Sequence, residues 1–427
     1  LSFSAMAGRF LLGVFVLAVS AGCVASGEAE PDTTTTSITA PEAAAPDTGV
    51  GPGQAGGSQQ IVVAEASGDV VVFSESLDEV TRVVPSPSID FKQPTWLDED
   101  SIVFAELSSA DGPSGLQAVD AASGATEWRV ELETFPFYYL PAPAGSNAAT
   151  TSLRNDPEGG LIAEVVSDDG SIEQISGASP FYSSWSPDGE SLAMHTGQAQ
   201  LSIRTGADDV TIADPSGAFQ APDWTADGIV TLRTVETGQV LSVWDNDDFT
   251  DVASVEGPVR FSAADGRVAI QSAAVAEGGG LQAGLRSQTL PEIPGGRLVV
   301  VDVASGSVTT VANQLVPLFE WSPGGDRLLY ATFESDSSLD FQWHVWEDGV
   351  ITDLSPFSAQ PAWFRDVVPF FDQYVQSVSL WSAGGDRIAY PAVEDGRLVV
   401  IVESIDGSVR DSIPDAVWVS WSGVDAP

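Results

Sequence analysis

Apolar and polar positions alternate in a short, recurring rhythm along most of the chain. From Ile61 onward, brief runs rich in Val, Ile, Leu and Phe are separated by clusters of Gly, Asp and Ser. IVVAEA and DVVVF open the series, SIVFA, GLQAVDA and SLAMH continue it, and RLVVVDV, RLLYA, RIAYP and RLVVIVE follow. Runs this short, rich in β-branched residues and bounded by turn formers, predict strands. No segment after residue 60 keeps a helical period. An all-β fold is expected.

The strands come in sets marked by an aromatic residue and a turn. Trp185-Ser186-Pro187-Asp188-Gly189 precedes SLAMH. Trp321-Ser322-Pro323-Gly324-Gly325-Asp326 precedes RLLYA, and Trp381-Ser382-Ala383-Gly384-Gly385-Asp386 precedes RIAYP. Weaker copies begin at Trp96, Trp224 and Phe261, a degenerate one surrounds Tyr139, and the chain runs out just past Trp421-Ser422-Gly423. The unit is about 40 residues long, the period of a repeat architecture. In each copy a short strand ends in the aromatic, the Pro/Asp/Gly segment makes a tight turn, and three further strands follow. Four antiparallel strands per unit predict a β-propeller blade. The aromatic anchors count eight four-stranded blades, or seven if the Tyr139 region is an irregular extension of its neighbour. The chain opens with three strands lacking an anchor and closes with AVWVSWS, an anchor strand with nothing after it. The last strand is therefore expected to join the first three in one blade, removing the open edges of a linear array.

The Trp-Ser-Pro-Asp-Gly phrase with its following apolar strand resembles the repeats of TolB-like β-propellers, over roughly residues 61–427. That family closes its ring with a terminal Trp-Ser phrase, as this chain does. The resemblance implies the fold. Here a tether stands where TolB carries a small α/β domain, and the blade count exceeds six, so the Tol–Pal partnership is not implied.

The first 22 residues differ in kind. Arg9 precedes an apolar run from Phe10 to Val19, too short to span a bilayer, and small residues follow; this is the layout of a secretion signal. Ser20-Ala21-Gly22-Cys23 resembles the lipobox of bacterial lipoproteins, with Ser20 where Leu is usual. The resemblance implies cleavage before Cys23 and acylation of its thiol, giving a secreted protein anchored in a membrane at an extracytoplasmic face. Residues 23–60, rich in Thr, Pro, Ala and Gly and free of aromatics, form an acidic tether that cannot bury enough surface to fold. The expected domains are 1–22 signal, 23–60 tether and 61–427 propeller.

Charge narrows the partners. Across 427 residues, 61 acidic side chains oppose 16 basic ones, of which Lys92 is the one lysine, for a formal charge of −45. Such a surface repels phosphate backbones and anionic headgroups, which excludes nucleic acid. Cys23 is the one cysteine, so the chain makes no internal disulfide or Cys-based metal site. No cofactor is expected. His195 and His344 lie on strands of different blades without a partner at ligand spacing, and read as packing or surface residues. Asp245, Asp247, Asp248 and Asp251 bind Ca²⁺ weakly at most, because the Gly and terminal Glu of an EF-hand loop are missing. No Gly-x-Ser-x-Gly elbow marks a hydrolase.

Two insertions depart from the repeat, 273–296 and 359–378. The second carries Trp363, Phe364, Arg365, Phe370, Phe371 and Tyr374, the composition of a binding hot spot on a rigid scaffold. The alternative is that these aromatics cap the propeller or pack between blades. The expected function is a non-catalytic protein- or ligand-binding or scaffolding module at the cell envelope. The competing expectation is an extracytoplasmic hydrolase or lyase acting on glycans or peptides at a propeller face.

Overall fold

A valine-rich run exposes a row of backbone N–H and C=O groups that must be paired, and this chain pairs them with its immediate neighbours in sequence. The computed structural model describes residues 59–423, except 109–113, 144–147, 158, 176–180, 197–199, 207, 214–219, 237, 246–247, 265, 273–295 and 335–338. The signal 1–22, Cys23, nearly all of the tether and nearly all of the insertion 273–296 lie outside the described residues.

Among the described residues the strands form six four-stranded antiparallel sheets and one of seven strands. Five sheets begin with Ile89–Trp96, Pro136–Pro141, Phe181–Trp185, Asp223–Thr225 and Val259–Ala264, and in each the strand order follows the chain. The seven-stranded sheet begins with Leu318–Trp321 and is two sets joined at a narrow seam. Its outer strand Val350–Ala359 meets Arg387–Glu394 only through Ser358 opposite Val393 and Ala359 opposite Ala392. Trp381 adds a single bridge to Ile388, standing where the second set needs a first strand. The remaining sheet unites the two ends of the described chain. Gln60–Glu65 pairs with Val70–Ser74 on one side and with Ala416–Trp421 on the other, Ile61 facing Trp421 and Val63 facing Val419.

Burial falls across each sheet from the early strands to the fourth. Ser101–Ser108 buries its first six residues, whereas Glu79–Val83, Ile172–Ile175 and Arg410–Pro414 bury one residue each. Each fully buried Val or Leu contributes about 1.5–3 kcal/mol. The apolar stock is thus spent on the inner strands and much of the charge is left on the outer ones.

The recurring phrase works as a set of latches. Trp185 Nε1 donates to Leu140 O at 3.3 Å, Trp224 Nε1 to Ser184 O at 3.0 Å, Trp321 Nε1 to Ser262 O at 3.0 Å and Trp381 Nε1 to Glu320 O at 3.4 Å. Each bond runs back to the first strand of the preceding sheet or, for Trp381, of the preceding set within the seven-stranded sheet. Tyr139 does the same with its hydroxyl, donating to the Gln93 carbonyl. Trp96 continues the series across the ends of the chain, Nε1 to Ser420 O at 3.2 Å. The serine after the anchor braces the turn. Ser186 Oγ donates to Asp188 at 2.6 Å and accepts from Ser191 N at 2.9 Å, and Ser322 and Ser382 repeat this with Asp326 and Asp386. Gly189, Gly325 and Gly385 sit at φ 67°, 64° and 63°, where a side chain would be strained. A second latch comes from the arginine that follows the turn. Arg267 bonds Gly325 O, Arg327 bonds Gly385 O at 2.9 Å, and Arg387 bonds Glu75 O at 3.3 Å.

Candidate functional site at the axis of the sheets

The first strands face a common segment, residues 360–380. Pro361 starts a helix, α1 (Pro361–Asp366), at the position where a missing amide costs nothing. A 3₁₀ turn, Val368–Phe370, leads to α2 (Phe371–Tyr374). Helices of six and four residues are too short to show a period, and the sequence pattern offered only an insertion here. Gln360 fixes the entry, its amide nitrogen reaching the carbonyls of Ala392, Val399 and Ala416.

Polar side chains then tie the segment to one sheet after another. Gln373 pairs with Ser183 as a neighbouring strand would: Oε1 accepts from Ser183 N at 2.9 Å and Nε2 donates to Ser183 O at 3.1 Å. The same Nε2 donates to Tyr138 Oη at 2.7 Å, and Tyr138 Oη donates to Gln373 O at 3.0 Å. Gln376 accepts from Ser184 Oγ at 3.0 Å and donates to Asp223, whose second oxygen accepts from Ala263 N at 2.7 Å. Thr95 Oγ1 donates to Ser377 O at 2.8 Å. Ser379 Oγ donates to Glu320 Oε1 at 2.6 Å, and Leu380 N donates to Oε2 at 3.2 Å. Arg260 bridges the carbonyls of Pro317 and Pro369, both at 3.0 Å. Six sheets therefore hold this segment through their first strands, and the seventh adds Trp418, edge-on to Tyr374 at 5.9 Å.

Among the described residues Asp223 and Glu320 have no cationic partner. Burial raises Asp223 to about 7 and Glu320 to about 8, against the hydrogen bonds that favour their charged forms. Asp372 is raised for the same reason, with Arg260 pulling it back. Burial also raises Tyr138 and Tyr374 above the usual phenol range.

The sequence-predicted residues divide at this segment. Trp363 and Phe371 are each 5% exposed and belong to the central apolar cluster with Val367, Tyr374 and Val375. Phe364 is half-buried against Phe341, ring centroids 5.9 Å apart. Arg365 and Phe370 stand at the surface, Arg365 73% exposed and paired with Asp366 at 2.6 Å, Phe370 49% exposed. The residues missed were Asp223, Glu320, Ser184, Thr95, Gln373 and Gln376. A signal for four of them existed: each stands immediately before an anchor tryptophan.

Beside the segment lies a cavity of about 430 Å³ between Thr95–Asp100, Pro141–Pro143 and Val375–Ser379, with Ser420, Trp421 and Gly423 completing its wall. The histidines are structural. His195 is buried against Gln220 O at 2.9 Å, and desolvation lowers its imidazole below the ordinary value. His344 lies between Thr332 Oγ1 at 2.9 Å and Asp353 Oδ1 at 2.7 Å, stacked on Tyr330. This hydroxyl–imidazole–carboxylate line has the spacing of a nucleophile, base and orienter, yet Thr332 is only 6% exposed and the three side chains staple adjacent strands. Asp251 is taken by Arg233 at 2.6 Å, and Asp245 accepts from Asp248 N to brace its own turn. Among the described residues no group of three or more His, Cys, Asp or Glu is arranged to hold a metal.

No protein-family model and no curated protein sequence matches this chain. Solved structures do. A eukaryotic initiation factor is similar at a TM-score of 0.54 and 10% identity, covering 87% of this chain and 99% of that one. The dihydro-heme d1 dehydrogenase NirN is similar at a TM-score of 0.53 and 12% identity, covering 86% of this chain and 75% of that one. The fold is a β-propeller. TolB from Acinetobacter baumannii, itself a propeller, is also similar, at 15% identity over 78% of this chain and 82% of that one, with a TM-score of 0.37. For the initiation factor and NirN, the likeness at these identities extends to the fold alone.

Proposed function

We propose that this chain is a cell-envelope lipoprotein whose β-propeller is a non-catalytic binding or scaffolding module. The observation that carries the reading is the filled axis. Blades of a propeller surround a central channel, and here Gln373, Gln376 and Ser379 occupy the space where catalytic groups from several blades would converge on a substrate. Recognition is thereby moved to the outer faces, where Arg365 and Phe370 are exposed on the same segment.

In this reading the sheets are eight blades, the last with Trp381 as a one-residue inner strand, and the ring is closed by Ala416–Trp421. Three observations support closure: the pairing of Ile61 with Trp421, the bond from Trp96 to Ser420 O, and the bond from Arg387 to Glu75 O. Residues 1–22 direct export, Cys23 carries the lipid, and residues up to 60 are the spacer.

Two measurements test the proposal. Cys23→Ser is expected to move the protein from the membrane pellet to the soluble fraction; retention in the pellet refutes the anchor. Tagged mature protein cross-linked in membranes is expected to retain a defined envelope partner that Arg365→Ala/Phe370→Ala loses with unchanged Tm. Capture that survives the double substitution refutes this recognition surface, and turnover of glycans or peptides by the wild type refutes the non-catalytic reading.

A further inference from the structure

Asp223 and Glu320 are 5% and 2% exposed, and among the described residues neither makes an ion pair. Both stand on first strands, and both face the axial segment. Asp223 is met by the Gln376 amide and by Ala263 N, and Glu320 by the Ser379 hydroxyl and Leu380 N. The nearest charged groups give no relief. Asp372 adds a like charge beside Asp223, and Arg260, which faces Asp372 and Tyr182, is committed to the carbonyls of Pro317 and Pro369. A charge placed on either carboxyl is thus balanced only by neutral dipoles, inside a protein whose formal charge is already −45.

We propose that Asp223 and Glu320 form a proton-operated lock on the axial segment Phe371–Leu380, holding it when their carboxyl groups are neutral and loosening it when they are ionised. Loosening hydrates both carboxylates and frees the first-strand polar groups, Ser183, Ser184 and Thr95, that the segment now satisfies. The axis then becomes accessible from outside, so the segment acts as an internal occupant of the propeller's own channel. Neutral carboxyls are favoured in the closed state and charged ones in the open state. Closure is therefore firmest at acidic pH and weakens as pH rises from the ordinary carboxylate range to about 7 for Asp223 and about 8 for Glu320, levelling off above.

Hydrogen exchange read by mass spectrometry on the whole chain, corrected for the intrinsic rate at each pH, tests this. Protection of residues 371–380 is expected to fall by up to about tenfold per pH unit for each carboxyl within its window. Protection of Ala416–Trp421 is expected to stay constant, and Asp223→Asn/Glu320→Gln is expected to flatten the profile. A flat wild-type profile, a parallel loss in Ala416–Trp421 or an undiminished slope in the double variant each overturns the proposal. If the double variant does not fold, Glu320→Gln alone must lower the slope, and a wild-type slope in that variant overturns it equally.

Discussion

Trp96→Phe separates a closed ring from an open array. The indole of Trp96 is buried and its Nε1 donates to Ser420 O across 324 residues of sequence. Phenylalanine keeps a ring in the site and removes the donor and part of the bicyclic volume. The lost bond costs about 0.5–1.5 kcal/mol, and the void left by the smaller ring adds about 1–2 kcal/mol. At about 2.1 cal/mol/K per residue, a propeller of this size unfolds with an entropy of about 0.8 kcal/mol/K, so the expected loss of about 1.5–3.5 kcal/mol lowers Tm by about 2–4 °C. Trp185→Phe is the control for the bond, because the half-buried Trp185 makes the equivalent bond to Leu140 O between sheets adjacent in sequence. Differential scanning calorimetry of both variants at one pH and ionic strength gives the comparison. If the ends are joined in solution, Trp96→Phe costs at least as much as Trp185→Phe, since Trp96 is the more buried of the two. A drop for Trp185→Phe with Trp96→Phe unchanged within about 1 °C refutes closure, since the carbonyl of Ser420 would then not be in place.

Further outcomes follow from the axial contacts and the charge. Gln373→Ala leaves Ser183 N and O without their partners and should cost about 2–4 kcal/mol in urea unfolding, whereas Arg365→Ala, at the surface, should leave the midpoint unchanged. Equal effects from the two would contradict the placement of the segment. Raising NaCl from 0.05 to 1 M should raise Tm by several degrees, because screening at about 3 Å relieves the repulsion among 61 carboxylates; a fall in Tm would count against that repulsion as the main electrostatic term.

The strands and their grouping were legible because their causes are local. The turn Ser186-Pro187-Asp188-Gly189 contains its own bracing bonds and its own positive φ, so the phrase could be read without its surroundings. The axial segment was legible only as a departure from the repeat. Its partners lie far away in sequence, Gln373 from Ser183 by 190 positions, Gln376 from Asp223 by 153 and Ser377 from Thr95 by 282. Nothing near Trp363 or Phe371 indicates that these rings turn inward. The buried acids were hidden for another reason: among 61 carboxylates, Asp223 and Glu320 are distinguished only by standing one place before an anchor tryptophan. The sequence placed His344 on a strand, but it did not show Thr332 and Asp353 on the strands to either side.

The position of Gln60–Glu65 between two strands has a mechanical meaning. Tension applied through the residues before Gln60 pulls along a strand bonded on both sides, to Val70–Ser74 and to Ala416–Trp421, with Gln60 itself clasped by Ser422 through bonds of 2.8 and 2.9 Å. Such a load shears two antiparallel ladders at once; it cannot peel one edge bond at a time. Gln60–Glu65 is therefore the tensile grip of the sheet, and the strand that grips it, Ala416–Trp421, lies more than 350 positions further along the sequence.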